Sequence, residues 1–373
     1  MDFQLSEDQR AFADMAQSLF ADYCTDDKLR EHDASGRPFM QELWQQCVAA
    51  GLHSILVPEA AGGLGLGMSE MLAVLEQQGR ALAQVPLWQQ QVAAAAIARF
   101  AQGQDAVVQS ALEGELLALS LQAAVATRGP ALQLQGERLK GQLQAVPLGE
   151  QAQMALVAAA AGDEIKLVLV NLQADGVSRV AGMREDYCAV ADISFRNTPV
   201  LAVLGGRALD WVNEMAIACL ASLQQGVTQE QLRRTVEYVS ERKQFDRPIG
   251  TFQLVQGQMA DGYIAMEALR SSLWQLVYRL DAGLGTQPQA HAVRALANDT
   301  GHRVGHMAQH VHGGMGVDVT YPIHRFLYWS RALAVALGGT EHHLAALGDW
   351  LADNDNLGWK YDLAEDELHA TPL

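Results

Sequence analysis

The sequence predicts an α+β fold that is mainly α: an N-terminal helical domain, a small middle β domain and a C-terminal helical domain. Apolar residues recur at helical spacing early and late in the chain, whereas the middle holds short apolar runs bounded by Gly, Asp and Asn. With 373 residues, 49% of them hydrophobic and 18% charged, the chain can form two or three compact domains. The predicted boundaries are 1–115, 116–205 and 206–350, followed by an acidic tail over 351–373.

The first domain begins with a capped helix. Ser6 precedes Glu7 and Asp8, which places a capping hydroxyl and two carboxylates at the positive end of a helix whose apolar residues start at Phe12. Further helices are predicted from Phe39 to near Gly51, over 68–81 and over 88–101.

A glycine-rich segment at 62–67 lies between two predicted helices. A dinucleotide-binding fingerprint requires a strand before the glycines and a helix that opens directly on them. Here helical sequence precedes the segment and no βαβ unit follows. The sequence therefore predicts a structural loop at 62–67.

The middle and C-terminal domains differ in the period of their apolar residues. Strands are predicted at 131–134, 154–158, 165–170 and 191–195. Long helices are predicted over 208–242, 252–282 and 287–311, with a last one from about Tyr328.

Composition limits the classes of partner. The formal net charge of −17 disfavours nucleic acid and anionic membrane surfaces, because both carry negative charge. The four cysteines lack disulfide or C-x-x-C spacing, the opening residues do not resemble a signal peptide, and no apolar run is long enough to cross a bilayer. The sequence predicts a cytoplasmic protein without a nucleic-acid or membrane partner.

Histidines cluster on one predicted helix. His302, His306 and His310 share one face, and His312 lies nearby. No carboxylate or cysteine joins them at ligand spacing, and the same holds for the pair at 342–343. We therefore predict no metal site.

Two segments combine residues suited to ligand binding. Segment 240–253 ends one helix, turns through Pro and Gly, and starts the next; its cations and aromatic residue suit a pyrophosphate and a flat ring. The same cations would also offset the helix dipole, so the residues alone leave both interpretations open. Segment 312–316 places glycines after a long helix, either as a C-cap or to admit a ligand close to the backbone.

Together these segments resemble the acyl-CoA dehydrogenase family over nearly the whole chain. The matching blocks, in the family's order, are 1–3, 6–10, 58–67, 78–83, 242–253, 313–316, 321–322 and 339–341. The resemblance implies a middle β domain built as a barrel or sandwich and a C-terminal four-helix bundle. It also implies FAD held between two subunits, and oxidation of an acyl-CoA thioester to the 2,3-enoyl-CoA.

The resemblance assigns one group of residues to an FAD that a neighbouring subunit mainly holds. Arg242 and Gln244 would contact the pyrophosphate and ribose. Phe245 would pack on the adenine, and Gln253 would lie beside them.

The later family blocks supply the remaining cofactor residues. Gly313 and Gly314 would let the backbone approach the adenosine side. His310 stands where the family has glutamine and can still form a hydrogen bond. Thr340, in the last family block, completes the predicted cofactor-binding group.

Residues that the family places around the flavin ring and thioester are largely missing. Segment 119–124 stands in place of a Thr-Glu-Pro-x-Ala-Gly-Ser string, and 143–148 lacks the Trp-x-Thr-type sequence. The family's catalytic carboxylate falls on Gly338, or in other members on Ala216, with its supporting arginine at Ile217. None of these side chains can accept the α proton.

We therefore predict no catalytic residue in this chain. The nearest carboxylates, Glu214 and Glu341, are displaced by two or three positions, and an offset of two on a helix turns a side chain by about 200°. The sequence predicts the non-catalytic subunit of a heteromeric acyl-CoA dehydrogenase, which shares FAD with a related subunit, acts on an acyl-CoA substrate and passes electrons to an electron-transfer flavoprotein. That arrangement is similar to mixed-subunit members that oxidise bulky acyl chains such as steroid side chains.

Two alternatives remain open at the level of sequence. One is a self-sufficient homotetramer that uses Glu214, Glu341 or another base. The other is a structural or regulatory binding protein that has the same fold but no longer takes part in flavin chemistry.

Overall fold

The computed structural model describes residues 5–125 and 132–354. The family block at 1–3, the first residue of the strand predicted at 131–134, and all but 351–354 of the predicted tail lie outside these ranges. The chain forms two compact units, the first from Met1–Arg30, Met68–Ala83 and Ile217–Leu373, the second from Glu31–Gly67 and Gln84–Ala216.

Helices dominate the described residues. They are α1 (Glu7–Tyr23), α2 (Asp26–Ser35), α3 (Gln41–Ala49), α4 (Met68–Ala81), α5 (Leu87–Phe100), α6 (Asp105–Leu112), α7 (Gln122–Val125), α8 (Ala208–Glu241), α9 (Gln253–Asp281), α10 (Gln287–His312), α11 (Ile323–Val335) and α12 (Gly339–Asp353). The helices predicted over 68–81, 88–101, 208–242, 252–282 and 287–311 are confirmed as α4, α5, α8, α9 and α10 to within one residue at each end.

The strands lie between α6 and α8, apart from a two-residue hairpin after α8. They are β1 (Leu117–Ser120), β2 (Leu132–Gln135), β3 (Arg138–Pro147), β4 (Met154–Ala161), β5 (Glu164–Asn171), β6 (Val177–Met183), β7 (Ala189–Pro199), β8 (Ala202–Leu204), β9 (Lys243–Gln244) and β10 (Arg247–Pro248). Helices flanking a central sheet confirm the predicted fold class, while the exact domain boundaries remain a prediction.

The second unit is built around one eight-stranded sheet. Its strand order is β6-β7-β3-β2-β4-β5-β8, with β1 pairing β4. The β1–β4 and β2–β4 pairs are parallel and the others antiparallel. Apolar side chains from several strands, including Leu139, Val168 and Ile193, are buried in one cluster, so burial of this shared face drives the sheet's assembly.

The glycine-rich loop belongs to the second unit and uses its own backbone donors. Gly63, Leu64 and Gly65 donate N–H bonds of 2.8–3.1 Å to carbonyls within 54–58. A Cβ at Gly63 would lie 2.2 Å from the Val57 carbonyl oxygen. These contacts support the structural interpretation of this loop, since its donors are already bonded.

The first helix starts where the sequence predicts. The Ser6 hydroxyl accepts a hydrogen bond from the Gln9 N–H at 3.1 Å, and the Gln9 side chain accepts one from the Ser6 N–H at 3.0 Å. This reciprocal capping box satisfies two backbone donors that the helix itself cannot pair.

The start of α4 is capped from the far end of α9. The Asp281 carboxylate accepts hydrogen bonds from the Met68 N–H at 2.6 Å and from the Ser69 N–H at 3.0 Å. A negative charge is also favourable at this end of the helix dipole. These bonds connect two helices of the first unit whose bonded residues lie more than 200 positions apart in the sequence.

Two glycines let α4 and α8 pack with their backbones in contact. A Cβ at Gly79 would lie 2.2 Å from the Leu223 carbonyl oxygen, and a Cβ at Gly226 would lie 2.0 Å from the Glu76 carbonyl oxygen. No side chain can enter such a gap without separating the helices.

The last predicted helix, from about Tyr328, was wrong in its extent. The structure has α11 from Ile323 and a separate α12 from Gly339. Leu337 (φ 57°), Gly338 (φ 94°) and Gly339 (φ 73°) all have positive φ, which breaks the helical hydrogen-bond pattern between α11 and α12. The short helices α2 and α6 were not predicted.

No helix in the described part of the chain is both long and apolar enough to cross a membrane.

We expect Gly226→Ala to destabilise the first unit by about 1–3 kcal/mol or more, because the added methyl group overlaps the α4 backbone. Gly257→Ala is the matched control: Gly257 lies on exposed α9 with nothing within 4 Å of its Cβ position, so it should gain about 0.5–1 kcal/mol. Urea unfolding of both variants measures the difference. Equal midpoints would contradict the close helix crossing.

Candidate cofactor site

The predicted cofactor segment after α8 is a tight β-hairpin. Gln244 pairs with Arg247 across a two-residue turn in which Phe245 has φ 52° and Asp246 has φ 62°. Positive φ at both central residues is the type I′ geometry, which normally selects Asn-Gly. The Ile249 N–H donates to the Arg242 carbonyl at 2.8 Å and fixes the base of the hairpin.

Phe245 is held in a costly backbone conformation and points into solvent. A left-handed backbone costs a residue with a Cβ about 1–2 kcal/mol. The Phe245 side chain is nevertheless 87% exposed, so burial does not compensate for that cost within this chain. Strain of this kind concentrates at binding sites, and here it projects an aromatic ring outward.

Two further residues support the ring. Phe245 meets the edge of Phe252 with centroids 6.2 Å apart, and the Arg247 guanidinium lies 4.1 Å from the Phe252 ring centroid. Sequence reasoning did not select Arg247 or Phe252 as site residues, although both fall within the family string at 242–253. Their mutual contacts are a tertiary feature that spacing alone did not predict.

A ring stack joins the end of α8 to the glycine turn after α10. Tyr238 lies one turn before Arg242 and stacks on His312 with centroids 4.1 Å apart. The Tyr238 hydroxyl lies 3.9 Å from the Met315 sulfur, and both rings contact Tyr321. The structure therefore brings together the two segments that the sequence singled out separately.

The structure requires glycine at position 313 but not at position 314. Gly313 has φ 58°, a conformation that favours glycine. Gly314 has no left-handed backbone, and a Cβ there would meet nothing within 4 Å. This chain therefore places no steric demand for glycine at position 314, which leaves the backbone open to an external group.

His310 lies at the same end of the first unit. Its Nδ1 is 3.4 Å from the Gln258 amide nitrogen, one helical turn beyond the start of α9 at Gln253. Arg242, Gln244, Phe245, Gln253, His310, Gly313 and Gly314 are thus grouped around the C-terminal ends of α8 and α10 and the start of α9.

Thr340 is the one predicted cofactor residue that does not join this group. It lies one turn before His343, whose Nδ1 is 3.0 Å from that of His291. His291 precedes His310 by nineteen residues on α10, which corresponds to about 28 Å along the helix. Thr340 therefore lies near the opposite end of α10.

The charges at the hairpin suit an anionic ligand. Arg242, Lys243 and Arg247 are exposed, and none forms a salt bridge within the described residues. Unpaired guanidinium groups beside an exposed aromatic ring match a diphosphate joined to a flat base. The residues present therefore fit the adenosine diphosphate part of FAD.

The position of the family base is closed to a side chain. Gly338 is left-handed, and a Cβ there would lie 2.8–3.0 Å from the Cγ, Cδ2 and Cβ atoms of His342. The alternative position, Ala216, and the neighbouring Ile217 are fully buried apolar residues. Glu341 is exposed in the first turn of α12.

The segments aligned with the family's flavin-binding strings bond to each other. The Gln122 side chain accepts a hydrogen bond from the Gln144 N–H at 3.0 Å and donates one to the Gln144 carbonyl. Leu119 and Leu143 are buried in the second unit. In these two segments, the leucine side chains thus pack in the interior of the second unit, and Gln122 hydrogen-bonds the backbone of Gln144.

The histidines of α10 do not converge. His302 and His306 face each other with centroids 4.4 Å apart, His310 contacts Gln258, and the buried His312 hydrogen-bonds the Ala308 carbonyl at 2.8 Å. Among the described residues, no group of three or more His, Cys, Asp or Glu side chains is arranged to hold a metal ion.

Comparison with known proteins identifies the family. The family models for the N-terminal and C-terminal domains of acyl-CoA dehydrogenase match residues 6–112 and 212–352. Acyl-CoA dehydrogenase FadE27 of Mycobacterium tuberculosis is 33% identical over 377 residues, covering 95% of this chain and 99% of the relative. FadE28 of the same organism is 33% identical over 381 residues, covering 93% and 98%.

The chain belongs to the acyl-CoA dehydrogenase family. Members of this family are FAD-dependent oxidoreductases. Among solved structures, a variant of the Tcur3481-Tcur3483 steroid ACAD superposes with a TM-score of 0.87 and 36% identity over 93% of this chain and 98% of that one. The ChsE4-ChsE5 complex from Mycobacterium tuberculosis gives 0.88 and 32% over 95% and 100%.

We expect the His312–Tyr238 stack to weaken at acidic pH. Burial lowers the pKa of His312 below its usual value, so the unfolded chain binds a proton that the folded chain does not. The stability contributed by His312 is therefore complete above about pH 6.5 and is lost as the pH falls below it.

His312→Phe keeps a ring against Tyr238 but removes the titration. Its unfolding free energy should fall less between pH 7 and pH 5 than that of the wild type, by up to about 1.4 kcal/mol per pH unit. His302→Phe, on the exposed side of the same helix, is the control. Parallel stability curves for wild type and His312→Phe would show that burial of His312 has no such effect.

Proposed function

We propose that this chain is the non-catalytic subunit of a heteromeric acyl-CoA dehydrogenase. The observation that carries the proposal is Gly338 at the family's base position, with the His342 ring occupying the space where a side chain would begin. Removal of the α proton requires a base, and glycine has none. A related subunit would supply that base.

The chain's contribution is the adenosine side of a shared FAD. Arg242 would pair with the diphosphate, Phe245 would stack on the adenine, and Gly314 would admit the cofactor close to the backbone. FAD, when bound, accepts a hydride from the β carbon of the thioester. The hairpin of this chain binds and orients the cofactor's far end, while the proton is taken by the partner.

Thr340 supports this division of roles. It lies about 28 Å along α10 from the group around His310, as the positions of His343 and His291 require. One chain would thus present two separate cofactor-facing regions. The region at the hairpin retains most of its family residues, with His310 in place of glutamine.

The relatives favour a bulky acyl group. A steroid ACAD and the ChsE4-ChsE5 complex are both named as pairs of proteins, and both match nearly the whole chain at more than 30% identity. We extend this to the present chain as a substrate class: the CoA thioester of a bulky, steroid-like side chain. Electrons would pass to an electron-transfer flavoprotein.

The decisive experiment compares the isolated chain with a complex co-expressed with its related subunit. The isolated chain should carry little FAD and show no turnover, whereas the complex should contain one FAD for each pair of chains. Arg242→Met and Phe245→Ala should each weaken the affinity of the complex for FAD by about tenfold, equivalent to about 1.4 kcal/mol of binding, and so lower the flavin that it retains.

Lys166→Met in β5 is the charge-matched control and should retain FAD, since Lys166 lies outside the hairpin and pairs with Glu164 at 3.2 Å. A yellow isolated chain that turns over acyl-CoA, and loses turnover in Glu214→Gln or Glu341→Gln, would instead establish a self-sufficient enzyme.

A carboxylate restored at the family position should not restore catalysis. Gly338→Glu places a Cβ within 3.0 Å of His342 on a left-handed backbone, so we expect a loss of about 1–3 kcal/mol of stability. Gly338→Glu with His342→Ala relieves the contact but retains the unfavourable φ. Acyl-CoA turnover by either isolated variant, measured with an artificial electron acceptor, would contradict this prediction, because it would show that a carboxylate at position 338 is sufficient to restore the base.

A further inference from the structure

A buried arginine beneath the α11–α12 turn uses only part of its hydrogen-bonding capacity. Arg294 lies on α10 and is 0% exposed. Its Nη2 donates to the Leu333 carbonyl and, at 2.8 Å, to the Ala336 carbonyl. Arg294 therefore caps the C-terminal end of α11 and holds the turn that carries Gly338.

The other nitrogens of the guanidinium are buried without partners. Nε and Nη1 have no hydrogen-bond acceptor among the described residues. No described carboxylate forms a salt bridge with Arg294 either. Burying a cation that lacks a neutralising charge, with two of its nitrogens unbonded, is unfavourable because water has been removed from it.

The histidines beside Arg294 supply no negative charge to neutralise it. His291 and His343 are buried beside each other on α10 and α12, with their Nδ1 atoms 3.0 Å apart. Burial, followed by the charge of Arg294, lowers the pKa of His343 to about 3. Burial alone lowers the pKa of Arg294 to about 9, so the guanidinium stays charged at neutral pH.

We propose that Arg294 binds a small monovalent anion of the chloride class through Nε and Nη1, between α10, α11 and α12. The anion neutralises the guanidinium and accepts its unpaired N–H groups. Since Nη2 remains bonded to Leu333 and Ala336, the anion also stabilises the turn over 336–339. This site is independent of the hairpin that we assign to FAD.

The full-length chain tests the site through a halide-specific effect on stability. At equal ionic strength, sodium chloride should raise the wild-type unfolding temperature by a few degrees over sodium gluconate, because an anion that binds only the folded state stabilises it. Arg294→Met should lose that difference. Arg303→Met should keep it, since Arg303 is exposed on the same helix and pairs with Asp299 at 2.7 Å.

A wild-type crystal soaked in bromide keeps the test valid if Arg294→Met fails to fold. An anomalous peak within hydrogen-bond reach of Nε or Nη1 supports the site. Water alone at that position, or an unfolding temperature equal in the two salts, overturns it. If a C-terminal carboxylate were the counter-ion instead, the wild type would show no chloride response, and the full-length chain with Asp362→Asn, Glu365→Gln, Asp366→Asn and Glu367→Gln would gain one; that outcome also overturns the proposal.

Discussion

The contact between Tyr238 and His312 is the interaction on which the candidate cofactor site depends. Their stacked rings, 4.1 Å apart, hold the last turns of α8 and α10 together, and the site residues follow directly on from those turns. His312 is 3% exposed and donates its Nδ1 hydrogen to Ala308, so its ring cannot rotate freely. The hairpin and the glycine turn therefore take up fixed positions relative to each other within the first unit.

The chain keeps the family's residue at Phe245, in the hairpin, but lacks the family's side chain at Gly338. At the hairpin the chain keeps Phe245 in a strained, exposed conformation that nothing in its own packing requires. At Gly338 it has no side chain, and His342 fills the adjoining space. A chain under constraint to bind a cofactor, but not to perform the proton transfer, would show this combination.

Polar groups at the two ends of helices are satisfied to different degrees in the first unit. Arg294, wholly enclosed, donates to two carbonyls and leaves two nitrogens without a partner among the described residues, whereas the exposed Asp281 accepts hydrogen bonds from two backbone N–H groups at the start of α4. A carboxylate at a helix N-terminus meets matching donors, whereas a guanidinium holds its donors in a fixed fork, and here only Nη2 reaches the carbonyls at the end of α11.

The sequence by itself determined the order of helical and strand segments, the cap at Ser6, the segments that we assign to the cofactor and the absence of a carboxylate at position 338, because each depends on residue type and local spacing. The contacts between distant residues were decided only by the tertiary structure. The capping of α4 by Asp281, the pairing of Tyr238 with His312, and the separation of Thr340 from His310 join residues far apart in the chain. Periodicity describes which face of a helix is apolar, but not which distant side chain will meet it, and those meetings are what create the site.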